Sequence, residues 1–142
     1  MKPSLSPPRL PGYLLALVAL YFVASLAHFS HNAETIAFYP GMPHWLTRET
    51  VYVAWLGVSG IGVLAAVLYR LRLYAPALLA LALYGASGLD GLAHYTLALC
   101  SEHTLLANVT IWSEAVAGLL VLLVSAVQIG RHCVPALRGR DG

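Results

Sequence analysis

Four long apolar stretches, separated by short polar ones, make up most of this chain. They run from about Tyr13 to Ser30, Val51 to Tyr69, Tyr74 to Cys100 and Ala107 to Gly130. Each reaches the roughly 18–25 residues that a helix needs to cross a hydrocarbon core about 30 Å thick. Neither the alternation of a membrane β-strand nor the polar face of a soluble amphipathic helix is present. Backbone groups in lipid must pair within their own segment, so stretches of this length predict helices. The expected fold is an all-α integral membrane protein, an antiparallel bundle of four transmembrane helices over residues 13–130. Residues 1–12, where Pro3, Pro7, Pro8 and Pro11 alternate with Ser4 and Ser6, predict a disordered lead-in, and residues 131–142 a loose tail.

Small residues punctuate three of the four stretches. Gly57, Ser59, Gly60 and Gly62 lie along the second, Gly85, Ser87, Gly88 and Gly91 along the third, and Ala117, Gly118 and Ser125 along the fourth. In lipid, burial of apolar surface no longer drives helices together, and small residues that let backbones approach do so instead. The same faces are compatible with a homo-oligomer.

The basic residues set an orientation. Lys2, Arg9, Arg70, Arg72, Arg131, Arg138 and Arg140 fall on one side of the four stretches, and of the eight basic residues only Arg48 falls on the other. The positive-inside rule therefore predicts cytoplasmic termini and two outward loops, in a bacterial-type inner or plasma membrane. The formal net charge of +2 is accounted for by this asymmetry and calls for no nucleic-acid partner. With 59% hydrophobic and 10% charged residues, the chain cannot cover a core with polar surface in water, which excludes a soluble domain. Membrane lipid is the expected surrounding.

A signal peptide cleaved after Ser25-Leu26-Ala27 is the competing reading of the first stretch. Cys100 and Cys133 fall on opposite sides and predict no intrachain disulfide. Asn108-Val109-Thr110 matches a glycosylation sequon but abuts the fourth helix, too close to the bilayer for oligosaccharide transfer.

Acid, base and metal-ligand chemistry is concentrated on the outward side. It holds His28, His31, His44, His94 and His103 with Glu34, Glu49, Asp90, Glu102 and Glu114, leaving only His132 and Asp141 elsewhere. At 100° per residue, Ser87, Asp90, Gly91 and His94 share an arc of about 100° on the third helix. Asp90 would lie about 15 Å below the outer end, where an ionisable group usually faces a protein interior and a partner. His28, His31 and Glu34 form a stripe ending the first helix, and Glu114 shares its face with Thr110, Ala117, Gly118 and Val121.

Imidazoles and carboxylates on bundle helices are the donors that hold zinc or iron. The expected metal ligands are His28, His31, Asp90 and His94, with Glu114 and Glu34 as acid or base in a metal-dependent enzyme acting on a lipophilic or interfacial substrate. The spacing matches neither HExxH nor the paired Glu-x-x-His of di-iron bundles. Three other readings stand beside it. One is non-catalytic metal or proton handling, as a transporter or accessory subunit. Another is haem on His28 or His31 with His94. The last is metal-free acid/base isomerisation by Asp90, His94 and Glu114. Below the cluster the inner half offers only Ser59, Ser125, Gln128 and Tyr69, a poor path for an ion. No phosphate loop, nucleophile elbow or basic–aromatic strip is present.

Overall fold

The computed structural model describes residues 10–132. The lead-in up to residue 9 and the tail from residue 133 lie outside the described residues. Four helical spans are long and apolar enough to cross a membrane, which makes the chain a multi-pass membrane protein by length and composition. They are α1 (Gly12–Glu34), α2 (Arg48–Arg70), α3 (Tyr74–Ser87) continued through a 3₁₀ stretch (Gly88–Ala93) into the short α4 (His94–Leu97), and α5 (Leu105–His132). Further 3₁₀ turns at Ile36–Phe38 and Cys100–Glu102 lie in the two connections at one end, called here the histidine end. The opposite end, with Arg70 and Arg72, is the arginine end.

Helix α1 touches α2 and α5, and α3 touches the same two, so the four spans close into a ring. Helix α5 is its centre, burying ten of its 28 residues. Helix α2 buries only Val51 and Ala65 out of 23 and presents Val53, Leu56, Val63, Leu64 and Val67 outward, a face suited to lipid. Tyr21, Tyr84, Ala117 and Val121 form the apolar centre, and Tyr21 and Tyr84 stack with centroids 4.6 Å apart. Helices α3 and α5 approach so closely at Gly85, Gly88 and Gly118 that no side chain fits between them.

Two spans depart from their expected limits. Helix α1 runs past Ser30 to Glu34, because Thr35 donates its hydroxyl to the His31 carbonyl (2.6 Å) and closes the polar last turn. The third span is not one helix from Tyr74 to Cys100. Ser87 donates its hydroxyl to the Tyr84 carbonyl (2.7 Å), competing with the helical ladder, and Gly88 and Gly91 offer no Cβ to hold α geometry. The chain tightens into 3₁₀ for six residues and ends as helix at Leu97.

The link at residues 71–73 is a Schellman turn. Leu73 N–H reaches the Leu68 carbonyl and Arg72 N–H the Tyr69 carbonyl, both at 3.0 Å. Arg72 takes the left-handed position at φ 61°, where glycine is usual and a side chain costs about 1 kcal/mol or slightly more. Arg72→Gly is therefore expected to raise the unfolding free energy by about 0.5–1 kcal/mol, read by thermal unfolding in detergent. A loss of stability would remove this account of the turn.

Candidate functional site

The histidine end holds most of the bundle's buried polar side chains, and they come from every span but α2. Helix α1 contributes Ser25, His28 and Asn32, α4 contributes His94, and α5 contributes Thr110 and Glu114, all buried. The connections add Tyr39 and His103, also buried. At the centre His28 Nε2 faces Glu114 Oε2 at 3.7 Å, with the two side chains 3% and 1% exposed.

The hydrogen-bond pattern orients the His28 ring. Thr110 donates its only hydroxyl proton to the Ala107 carbonyl (2.9 Å), so toward His28 Nδ1, 3.4 Å away, it can only accept. The proton of a neutral ring thus sits on Nδ1, and the Nε2 lone pair points toward Glu114. Asn32 acts likewise on His94. Its Nδ2 donates to Nε2 at 3.4 Å, which leaves the ring proton on Nδ1. The His28 and His94 rings meet edge to face with centroids 5.4 Å apart, and Tyr39 lies against His94 at 4.9 Å.

Several buried polar atoms here have no hydrogen-bond partner within the protein: both Glu114 carboxyl oxygens, His94 Nδ1, Asn32 Oδ1, Ser25 Oγ and His103 Nε2. Each such atom costs about 1–3 kcal/mol, and native folds keep few without a use. Gly91, in the 3₁₀ stretch, lies over the pair. A Cβ there would stand 3.4 Å from Glu114 Oε2 and 3.6 Å from His28 Nε2.

Of the expected residues, the structure brings together His28, His94 and Glu114, and it sends three elsewhere. His31 bonds the Tyr39 hydroxyl through Nδ1 (2.8 Å) and lines a small cavity of about 80 Å³ with Thr35, Phe38, Tyr39, His103, Thr104 and Ala107. Asp90 is exposed and makes no hydrogen bond or ion pair among the described residues. Glu34 is exposed at the rim, where Oε1 accepts from Arg48 Nη2 (2.7 Å), Arg48 Nε (2.9 Å) and Tyr52 (2.8 Å), tying α1 to α2. Among the described residues, no three His, Cys, Asp or Glu side chains are grouped so as to hold one metal ion.

Residues outside the expected ligand and acid–base set complete the site. Tyr39 reads as an interfacial aromatic, yet it is buried beneath the imidazoles, and burial pushes its hydroxyl up to about 12. His103 reads as loop surface, yet its Nδ1 donates to the Leu99 carbonyl (3.0 Å) and its ring packs on Tyr95. Asn108, the sequon asparagine, pins the Cys100–Glu102 turn instead. Its amide donates to the Cys100 carbonyl (3.0 Å), and its Oδ1 accepts from Tyr95 (2.8 Å).

Below the pair the polar groups thin out to the hydroxyls of Tyr84 and of Tyr21, which bonds Ser87 at 3.3 Å. Ser125 and Gln128 are buried eleven and fourteen residues further along α5, about 16 and 21 Å by helical rise. The Tyr21, Tyr84, Ala117 and Val121 cluster lies between. On the lipid side of the α1–α5 seam, at the height of Glu114, Leu20, Ala24, Trp112, Ser113, Val116, Ala117 and Leu120 line an apolar groove of about 440 Å³. Comparison of the chain with family models, with curated proteins and with solved structures finds no match.

Proposed function

We infer that this protein is a membrane-embedded acid–base catalyst in which His28 and Glu114 move a proton to or from a small lipophilic molecule. The observation that carries this reading is Glu114: a fully buried carboxyl, facing an oriented imidazole nitrogen, with neither oxygen hydrogen-bonded within the protein. Ionisable groups are held inside a membrane bundle at a cost that function usually explains. Thr110 and Asn32 act as positioning residues, fixing the tautomers of His28 and His94. Between Glu114 and Ser125 the packed Tyr21, Tyr84, Ala117 and Val121 leave few polar groups for conduction through one bundle, which favours exchange of a proton at Glu114 with a bound molecule. The apolar groove on the α1–α5 seam, whose Trp112, Ser113 and Val116 flank Glu114 in sequence, is where an apolar molecule would dock; Glu114 itself does not line it. The split of basic residues supports a site on the outer side of a bacterial-type inner or plasma membrane.

The test takes carbon as the atom that gains or loses the proton and needs no prior identification of the substrate. Membranes holding the wild-type protein are incubated in deuterium oxide, and extracted lipids are searched by mass spectrometry for carbon-bound deuterium. A labelled species is expected with wild type and is expected to fall by about 10²–10⁴-fold in Glu114→Gln, the usual weight of a general acid or base. Labelling that is unchanged in Glu114→Gln, or absent from wild type, overturns the reading.

A second reading keeps the same donors. Glu114, with both oxygens unpaired within the protein, and the His28 Nε2 before it are ligand-type atoms, and zinc or iron held by these two side chains and by donors of a bound molecule would supply Lewis acidity there. Stoichiometric metal in the purified protein, with labelling abolished by chelation, would select this reading over the metal-free one.

A further inference from the structure

At the arginine end, far from the histidine cluster, three helices border a half-open cavity of about 520 Å³. Its walls are Leu14, Leu15 and Val18 of α1, Gly62, Ala65 and Ala66 of α2, and Ala77, Leu78 and Leu81 of α3. Room exists because the α2 wall and Ala77 are small. Leu10, Tyr69 and Arg70 complete the lining at the arginine end.

The polar groups have a definite place. The cavity extends from Arg70 to Gly62, eight residues and about 12 Å along α2. Tyr69 and Arg70 stand at its end, and the Tyr69 and Tyr74 rings pack there with centroids 5.3 Å apart. Tyrosine and arginine at the end of a span mark the headgroup level of a bilayer. The rest of the cavity therefore lies at hydrocarbon depth, where an apolar wall gives water no partners. Arg70 is exposed and forms no ion pair among the described residues. A cationic fork at headgroup level beside an apolar cavity matches an anionic amphiphile, and the amphiphile a bilayer supplies in quantity carries a phosphate with hydrocarbon chains below it.

We propose that this cavity is a binding site for an anionic phospholipid, one acyl chain lying between α1, α2 and α3 and the headgroup phosphate on Arg70. The guanidinium donates to phosphate oxygens, and the chain fills the space along Val18, Ala66 and Leu81. An anionic lipid is favoured over a zwitterionic one because no ammonium then competes with Arg70 for the phosphate. The site is independent of the His28–Glu114 chemistry and survives its failure.

The full-length protein, delipidated in mild detergent, is offered equal amounts of phosphatidylglycerol and phosphatidylethanolamine in mixed micelles, and retained lipid is counted by native mass spectrometry. Wild type is expected to retain a single phospholipid, with phosphatidylglycerol favoured by about fivefold, the weight of one basic residue at an anionic headgroup. Arg70→Gln should bring that preference close to one while lipid is still retained, and Arg70→Lys should keep most of it. Ala66→Leu, which narrows the cavity, should lower retention of both lipids together. Equal retention of the two lipids by wild type, or an unchanged preference in Arg70→Gln, overturns the proposal. So does retention that appears only when residues 1–9 are removed, since that would make the chain's own N-terminal segment the occupant.

Discussion

His28→Ala is expected to lower the unfolding free energy by about 2–4 kcal/mol, the lost packing together with a buried carboxyl left without a partner. The substitution leaves the Glu114 carboxyl buried at 1% exposure with no imidazole before it and no hydrogen bond within the protein to replace one. Glu114→Gln keeps the volume and replaces the acid by an amide that cannot lose a proton, and it should cost about 1–3 kcal/mol, as an imperfectly satisfied buried amide does. The double variant His28→Leu/Glu114→Leu replaces both partners by apolar groups of similar size and should recover most of the His28→Ala loss. Unfolding in detergent, followed by tryptophan fluorescence, measures all three. A double variant no more stable than His28→Ala would mean that the groups are not coupled. The pair would then have no claim to share a proton.

The second large effect concerns the contact that sets the distance between α3 and α5. A Cβ on Gly85 would stand 2.6 Å from Leu122 N and 2.7 Å from the Gly118 carbonyl oxygen. One on Gly118 would stand 2.6 Å from the Gly85 carbonyl oxygen and 3.0 Å from Gly88 Cα. These obstacles are backbone, so neither helix can yield by changing a rotamer. Gly85→Ala and Gly118→Ala should each cost about 1–3 kcal/mol or more, as overpacking of a tight core does. Gly57, Gly60 and Gly130 serve as controls within the same molecule, since a Cβ there meets nothing within 4 Å. Alanine at those positions should stabilise by about 0.5–1 kcal/mol through helix propensity. If the two groups of substitutions behave alike, the close approach of α3 and α5 is not what holds the bundle together.

Most of the architecture was legible in the sequence because lipid makes helix the sole economical solution for a long apolar run. The finer geometry was not, and Asp90 shows why. On an ideal α-helix Asp90, Gly91 and His94 share an arc, which predicts that aspartate and histidine face the same interior. In the 3₁₀ stretch Gly88–Ala93 each residue turns about 120° rather than 100°. Gly91 and His94, three apart, then stay aligned and are buried, while Asp90 is turned about a third of a circle from Gly91 and is exposed. The break depends on Ser87 bonding back to Tyr84 and on two glycines, a combination that hydropathy does not register. His31 and Glu34 were diverted by partners in the following loop and in α2, Tyr39 on one side and Arg48 with Tyr52 on the other. Such pairings join residues whose separation in sequence carries no period. Tyr39 and His103 escaped for a related reason: residues in connections have no helical face from which burial can be read. Glu114 was legible, because on a regular helix its alignment with Thr110, Ala117, Gly118 and Val121 survives unchanged, and all five are buried.

The helices of this bundle are also unequal in length. By helical rise α1 and α2 measure about 35 Å and α5 about 42 Å, against a hydrocarbon core of about 30 Å. The surplus of α5 must be taken up by tilt, by protrusion or by local thickening of the bilayer. Glu114 sits about 14 Å from the start of that longest helix, so any change of tilt alters its distance from water. Acyl-chain length of the surrounding lipid thereby acts on how readily protons reach the carboxyl, and membranes of different thickness will not hold this protein in equivalent states.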